Sequence, residues 1–200
     1  MKHRSIIAAA IVVAVFFTAQ AFISVNVSET EKQSYEVLRS FEDFEIREYA
    51  PAVYYKVKMD NESYRKGANS GFRTLADYIF GGNENNERIA MTSPVTTDLG
   101  EDPVMKFAAP RAYERASLPR PNNEAVQFEE EGTKIVAAIR FSGRANDKMI
   151  EDHRQKLVEA LAQEGIAHKG KFSFLGYNPP YELINRRNEV IVELEDYPQE

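Results

Sequence analysis

Cysteine is absent from the 200 residues, and so is tryptophan. Without cysteine the chain has no disulfide framework and no site for lipoprotein attachment. Histidine is scarce: beyond His3 there are only His153 and His168. Two histidines at no metal-site spacing, with no thiolate partner, exclude the usual structural zinc site. An excess of positive charge is missing as well. Lys and Arg number 25 against 31 Asp and Glu, a net charge of −6, which argues against binding a phosphate backbone. No G-x-S-x-G elbow surrounds Ser93, and Gly81-Gly82-Asn83 follows a helical pattern instead of opening one, so it is not a phosphate loop.

Long apolar runs are also missing, except at the start. Lys2, His3 and Arg4 precede an uninterrupted apolar stretch from Ile6 to Phe17, and Ala19-Gln20-Ala21 places small residues where a signal peptidase reads them. Residues 1–21 are therefore expected to be a signal peptide. An uncleaved N-terminal anchor is the alternative, because Ile6 to Ile23 is long enough to cross a thin hydrocarbon core. Either way the rest of the chain is expected outside the cytoplasm, periplasmic or otherwise extracytoplasmic, touching membrane only through this segment. Cleavage would take the net charge from −6 to −8, since Lys2 and Arg4 leave and no acid does. Residues 22–34 read as a tether and 35–197 as a single domain with ample apolar content for a core.

Within that domain two periodicities alternate. Val53, Tyr55, Val57 and Met59 share one face of a strand, and Ile135, Ala137, Ile139 and Phe141 share another. Phe44 with Ile46, Phe172 with Phe174, and Val190, Val192 and Leu194 repeat the pattern of half-buried antiparallel strands. Helical spacing appears twice. Tyr64, Ala68, Phe72, Leu75 and Ile79 mark a helix over 62–80, capped by Asp60 or Asn61 and stopped by Gly81-Gly82. Met149, Ile150, Leu157 and Leu161, with His153 on the same side, mark one over 146–163. The order strand, helix, strand, strand thus occurs twice: 51–59, 62–80, 89–97 and 104–108, then 134–142, 146–163, 166–177 and 188–195. The expected fold is α+β, two similar halves sharing one sheet or open barrel, each with a helix to cover it.

Candidate functional residues each carry a plain structural alternative. Gly67 and Gly71 sit one turn apart inside the first helix at about 1 kcal/mol each, which asks for close approach by another backbone or a flat ligand. Tyr177 and Tyr181 flank Pro179-Pro180, where they either stack on a planar ligand or plug a barrel end. Arg186 and Arg187 either fix the entry to the last strand through an ion pair with Glu189 or grip a ligand carboxylate bidentately. Arg65 and Arg73 offer the same from the first helix. His153 and His168 are weak candidates for a metal. His168 shares the parity of Phe172 and Phe174 only if Gly170 makes no bulge. Glu129, Glu130 and Glu131 read as a solvated strand face, and no nucleophile–base pair stands out.

Ordered short segments carry a resemblance over about 35–195: Tyr35-Glu36-Val37-Leu38, Tyr49-Ala50-Pro51-Ala52-Val53, Asn69-Ser70-Gly71-Phe72, Tyr78-Ile79-Phe80-Gly81, Ile89 to Val95, Phe141-Ser142-Gly143, Gly176-Tyr177-Asn178-Pro179-Pro180 and Arg187-Asn188-Glu189. Through these the chain resembles the SOUL family of haem-binding proteins. The resemblance implies a distorted antiparallel β-barrel of two pseudo-repeated halves flanked by two helices. It also implies non-covalent binding of haem or another porphyrin in an apolar cleft between the first helix and the loop before the last strand. Carried over by position, contacts fall on Asn69, Phe72 and Arg73, and on Tyr181 and Glu182 opposite, where Glu182 puts an acid in a place better suited to a base. Tyr177 and Arg186 complete the expected ligand-binding set. Some members have been proposed to use an axial histidine, and this chain has none in the corresponding first-half segment. The expectation is an exported tetrapyrrole carrier or buffer, not an enzyme, that holds its ligand without axial histidine. A binding module for another hydrophobic planar molecule is the alternative, and a small-molecule hydrolase a more distant one.

Overall fold

Among the described residues twelve elements follow one another along the chain. In the computed structural model, which describes residues 30–59, 63–179, 181–182, 184 and 186–198 together with Ile11, Val15 and Thr18, the strands are β1 (Tyr35–Ser40), β2 (Phe44–Tyr49), β3 (Ala52–Lys58), β4 (Val95–Asp98), β5 (Val104–Ala108), β6 (Gln127–Glu131), β7 (Lys134–Phe141), β8 (His168–Gly176) and β9 (Asn188–Leu194). Helix α1 (Tyr64–Ile79) lies between β3 and β4, a 3-10 turn (Arg115–Ser117) precedes β6, and α2 (Asp147–Gln163) lies between β7 and β8. The expected signal or anchor over 1–21 lies, apart from three residues, outside the described residues, as do Asp60 and Asn61, the expected caps of α1. Among the described residues no helix is long and apolar enough to cross a membrane.

All nine strands form one antiparallel sheet in the order β1-β2-β7-β9-β8-β4-β5-β3-β6. The order explains the duplication. In one half β5 lies between β3 and β4; in the other β9 lies between β7 and β8, and the halves join where β4 pairs with β8. Two links force curvature. Ala50-Pro51 joins β2 to β3, and Gly132-Thr133 joins β6 to β7, yet each pair stands far apart in the sheet order. Two residues reach only about 7 Å beyond the strand ends, so the sheet curls until its two sides meet. Contacts of Gln33 with Tyr54 and of Glu131 with Lys134 lie along that closure.

Strand alternation then sorts side chains between two faces. Outward, Tyr55, Val57, Met59, Met105 and Phe107 pack under Leu75, Tyr78 and Ile79 of α1. Ile46, Ile139, Phe141, Phe174 and Val192 do the same under Ile150, Leu157 and Leu161 of α2. Inward, Tyr49, Val136, Ala138, Leu175, Tyr177 and Ile191 form a third cluster inside the curl.

Three expectations need correction. The strand expected over 89–97 is only Val95–Asp98, because Pro94 has no N–H for a ladder. Before it Ser93 pairs instead with the N-terminal segment, its N–H donating to Glu31 O at 2.8 Å and its carbonyl accepting from Gln33 at 3.0 Å. Gly170 does introduce a bulge: it has φ +73, and His168 and Phe172 stand opposite Leu194 and Val192, so four residues span the space of two. Parity survives, since both intervals are even. Glu131 is not solvated; its side chain is 19% exposed and paired with Lys106 and Lys134.

Candidate functional site

Helix α1 forms because its apolar positions recur at threes and fours, and the outcome is an asymmetric surface. Leu75, Tyr78 and Ile79 are buried, whereas Asn69 and Arg73 are exposed and Phe72 is half-buried at the border between them. The Phe72 ring rests 5.3 Å from that of Phe107, which fixes it from below. Gly71 points inward. A Cβ there would lie 3.4 Å from Met105 Cβ and 3.5 Å from Met59 Cγ, so this glycine serves contact with the sheet. Asn69, Phe72 and Arg73 therefore share one accessible patch.

The loop between β8 and β9 is held by its own polar side chains. Asn178 Oδ1 accepts the Arg187 N–H at 2.6 Å, and Asn178 Nδ2 donates to Glu182 at 2.7 Å. Arg186 donates to the carbonyls of Pro179 at 2.8 Å, Glu182 at 2.7 Å and Asn178 at 3.2 Å. Glu182 is 2% exposed, whereas Tyr181 is 63% and Ile184 37% exposed. At the first turn of α1 burial raises the Tyr64 hydroxyl pKa, and the charge of Arg186 opposes that rise. The hydroxyl of Ser63, the N-cap residue of α1, meanwhile donates to Asp147 at 2.9 Å and ties the starts of the two helices together. The patch on α1 thus carries an accessible phenylalanine, and the loop carries an exposed tyrosine and isoleucine.

Tyr177 lies elsewhere, inside the curl. Its hydroxyl donates to Glu189 Oε2 at 2.9 Å. Glu189, fully buried, also accepts from Arg47 at 2.8 and 3.2 Å and from Arg187 at 2.7 and 2.9 Å. Arg187 continues to the Tyr35 hydroxyl at 2.9 Å, and its guanidinium lies 4.0 Å over the Tyr177 ring. Burial would raise the Glu189 pKa, but the hydrogen bond and charge of Arg47, with the charge of Arg187, hold it below the usual carboxylate range. A second cluster surrounds Lys106, which meets Glu131 at 2.6 Å and Asp98 at 2.7 Å. Burial lowers the Lys106 pKa, yet Asp98 and Glu131 carry it above the ordinary lysine value, so this amine is a cation and not a nucleophile. Arg47 is the residue that sequence reasoning missed. Its alternation with Phe44 and Ile46 shows that it faces inward, but the partner is 142 residues away.

The histidines belong to the α2 side. His153 stacks on Phe141 at 4.1 Å, and its Nδ1, 2.7 Å from the Met149 carbonyl, donates to it. It borders a cleft of about 420 Å³ shared with Asp43, Arg140, Lys156 and Glu159. His168 Nδ1 accepts the Gly170 N–H at 3.1 Å, leaving its proton on Nε2. Among the described residues no group of three His, Cys, Asp or Glu is placed to hold a metal ion. The structure therefore brings Asn69, Phe72 and Arg73 together on α1, sets Tyr181 and Arg186 on the β8–β9 loop, turns Tyr177 into the curl beneath Arg187, and leaves His153 and His168 on the α2 side.

Comparison with known proteins adds to this geometry. The family model described as SOUL heme-binding protein matches residues 30–193. Heme-binding protein 2 of Mus musculus is 28% identical over 155 residues, covering 74% of this chain and 76% of its own. Heme-binding protein 1 of Xenopus laevis is 26% identical over 155 residues, covering 74% and 81%. Among solved structures the EcmrR C-terminal domain superposes with a TM-score of 0.56 at 9% identity, covering 82% of this chain and 99% of that one. A hydrolase from Listeria innocua gives 0.52 at 10% identity, covering 76% and 92%. At such identities these two structures speak for the fold alone.

Proposed function

This chain belongs to the SOUL heme-binding family, and from that premise we propose that it binds haem or a closely related tetrapyrrole non-covalently. The family match spans nearly every described element, and that observation carries the reading. The site is the surface between α1 and the loop before β9. Phe72 and Tyr181 offer aromatic faces there, and Asn69 and Arg73 offer polar contacts at the edge. Such a surface suits a flat, mainly apolar ligand with anionic substituents. Apolar burial supplies about 25 cal/mol per Å², so a macrocycle covering a few hundred Å² is held without a metal–protein bond. No axial histidine is involved, since His153 and His168 lie on the α2 side. Tyr177 acts from inside the barrel by anchoring the strand that leads into the loop.

The protein is a carrier or buffer in this reading and not an enzyme, because its buried Lys106, Glu189 and Tyr177 are spent in ion pairs and hydrogen bonds. Its expected place is outside the cytoplasm, on the strength of Lys2, Arg4, the apolar run after them and Ala19-Gln20-Ala21. The acidic charge supports a small-molecule partner over nucleic acid. The test is a haem titration of the purified protein at moderate salt. A saturable Soret shift at micromolar protein is expected, and it should persist unchanged in His153→Ala and His168→Ala. A featureless titration would sink the proposal, and a spectrum altered by either histidine variant would assign that residue to iron.

A further inference from the structure

Strand β1 ends the sheet on one side. It pairs with β2 alone, and among the described residues no strand covers its other edge. Five of its six residues are exposed, Val37 by 43% and Leu38 by 37%. An open edge with apolar side chains at its centre is a template for another strand.

The register of β1 decides what fits that edge. Tyr35, Glu36 and Val37 stand opposite Tyr49, Glu48 and Arg47, whereas Arg39 and Ser40 stand opposite Ile46 and Glu45. Leu38 is therefore an extra residue in a bulge. Residues opposite one another across a ladder share a face. Glu48 and Ile46 are two apart on β2, so Glu36 and Arg39 project on the same side of the sheet. Without the bulge, their odd spacing would put them on opposite sides. Neither makes an ion pair among the described residues; Arg39 lies 4.6 Å over the Phe41 ring. Glu36 also stands opposite the like charge of Glu48, an arrangement that a cation on its outer side would relieve.

We propose that β1 pairs antiparallel with the same strand of a second copy of this chain. A twofold axis through the bulge, perpendicular to the sheet, leaves each side chain on its own face. It sets Glu36 of each copy against Arg39 of the other, two ion pairs from one contact. Val37 and Leu38 meet their own counterparts at the centre, and Tyr35 meets Ser40. A bulge ordinarily spoils an edge for pairing. Two bulges set against each other cancel, because both strands then carry the extra residue. In-register parallel pairing would instead place like charges side by side. One strand pair covers less than the roughly 1,200 Å² of a standard interface, so the dimer is weak and forms at high local concentration.

Sedimentation equilibrium of the purified protein from about 10 µM to about 1 mM tests this. A monomer–dimer equilibrium is expected within that range, weakening as salt is raised. Glu36→Arg and Arg39→Glu each place like charges across the axis twice, and each should weaken association about tenfold or more. The double variant should restore it, because the swap re-creates both pairs. Leu38→Lys should abolish it. These side chains are exposed in the monomer, so every variant should keep the wild-type circular dichroism, which separates lost pairing from lost fold. A protein that stays monomeric throughout overturns the proposal. So does association that neither single reversal changes, which would assign it to another surface such as the apolar run from Ile6 to Phe17. A double variant that associates no better than the single ones overturns it as well.

Discussion

Glu189 shows how much one residue can concentrate. Its carboxylate is fully buried and accepts from Arg47, Arg187 and Tyr177. An isolated charge at that depth would be very costly, and only saturation of its lone pairs makes it tolerable. Removing it leaves the Arg47 guanidinium, itself 3% exposed, with only the half-exposed Glu45 as a charged partner. Glu189→Ala should therefore cost about 3–5 kcal/mol in urea unfolding, while Tyr177→Phe, losing one hydrogen bond to a charged acceptor, should cost about 1–3 kcal/mol. The exposed pair Arg154–Glu151, by contrast, should show no measurable effect when broken. The sign of the pH effect follows from the depressed Glu189 pKa. A carboxyl lowered in the folded state contributes stability above its ordinary value of 4.5, and that contribution is lost as pH falls through the folded value. An Ala variant as stable as wild type, or no acid dependence, would show that the network contributes nothing to the fold.

At the scale of elements, α1 is where fold and site meet, and Gly71 tests which of the two its glycine serves. A Cβ added at this position would meet Met105 Cβ and Sδ, both at 3.4 Å, a tight contact but one backed by a flexible side chain. Gly71→Ala should then land within about 1 kcal/mol of wild type, helix propensity offsetting the squeeze, whereas Gly71→Val should lose about 1–3 kcal/mol by overpacking. Haem affinity should be unchanged in the Ala variant; a selective affinity loss at full stability would make Gly71 a ligand contact. The helices and the strands with one apolar face were legible because burial imposes a period on them. β1 was not legible, since it is an edge strand whose residues are mostly exposed, and nor was the start of β4, which is set by Pro94 and by pairing of Ser93 with Glu31 and Gln33. The site was legible only in part. Asn69, Phe72 and Arg73 share a helix face by spacing alone. That Tyr177 turns inward, and that Arg186 is occupied by loop carbonyls, depends on how the β8–β9 loop closes through Asn178, and no local pattern records that.

For the molecule as a whole, the curl of the sheet buries tyrosines on both faces, and this sets an alkaline limit. Burial raises the hydroxyl pKa of Tyr49, Tyr54, Tyr55, Tyr64, Tyr78 and Tyr177, to about 12 for Tyr49 and for Tyr78. In the unfolded chain each ionises near its ordinary value of 10.0. A group whose folded pKa is raised contributes stability in full below the unfolded value and loses it as pH climbs toward the folded one. Each deeply buried tyrosine thus subtracts roughly 1.4 kcal/mol per pH unit above 10. Lys106, held as a cation by Asp98 and Glu131, acts in the same sense. Since a domain of this size has only about 5–15 kcal/mol in hand, several tyrosines acting together should unfold it between pH 10 and 12. The expected record is a tyrosinate absorbance that lags at pH 10 and then rises abruptly with the loss of near-ultraviolet circular dichroism. Gradual ionisation of all ten tyrosines near pH 10 in a folded protein would mean that the barrel interior is open to water. A filled interior leaves only the outer surface for a ligand, so the same titration bears on where haem is held: the α1 wall is favoured only if the tyrosines inside stay dry.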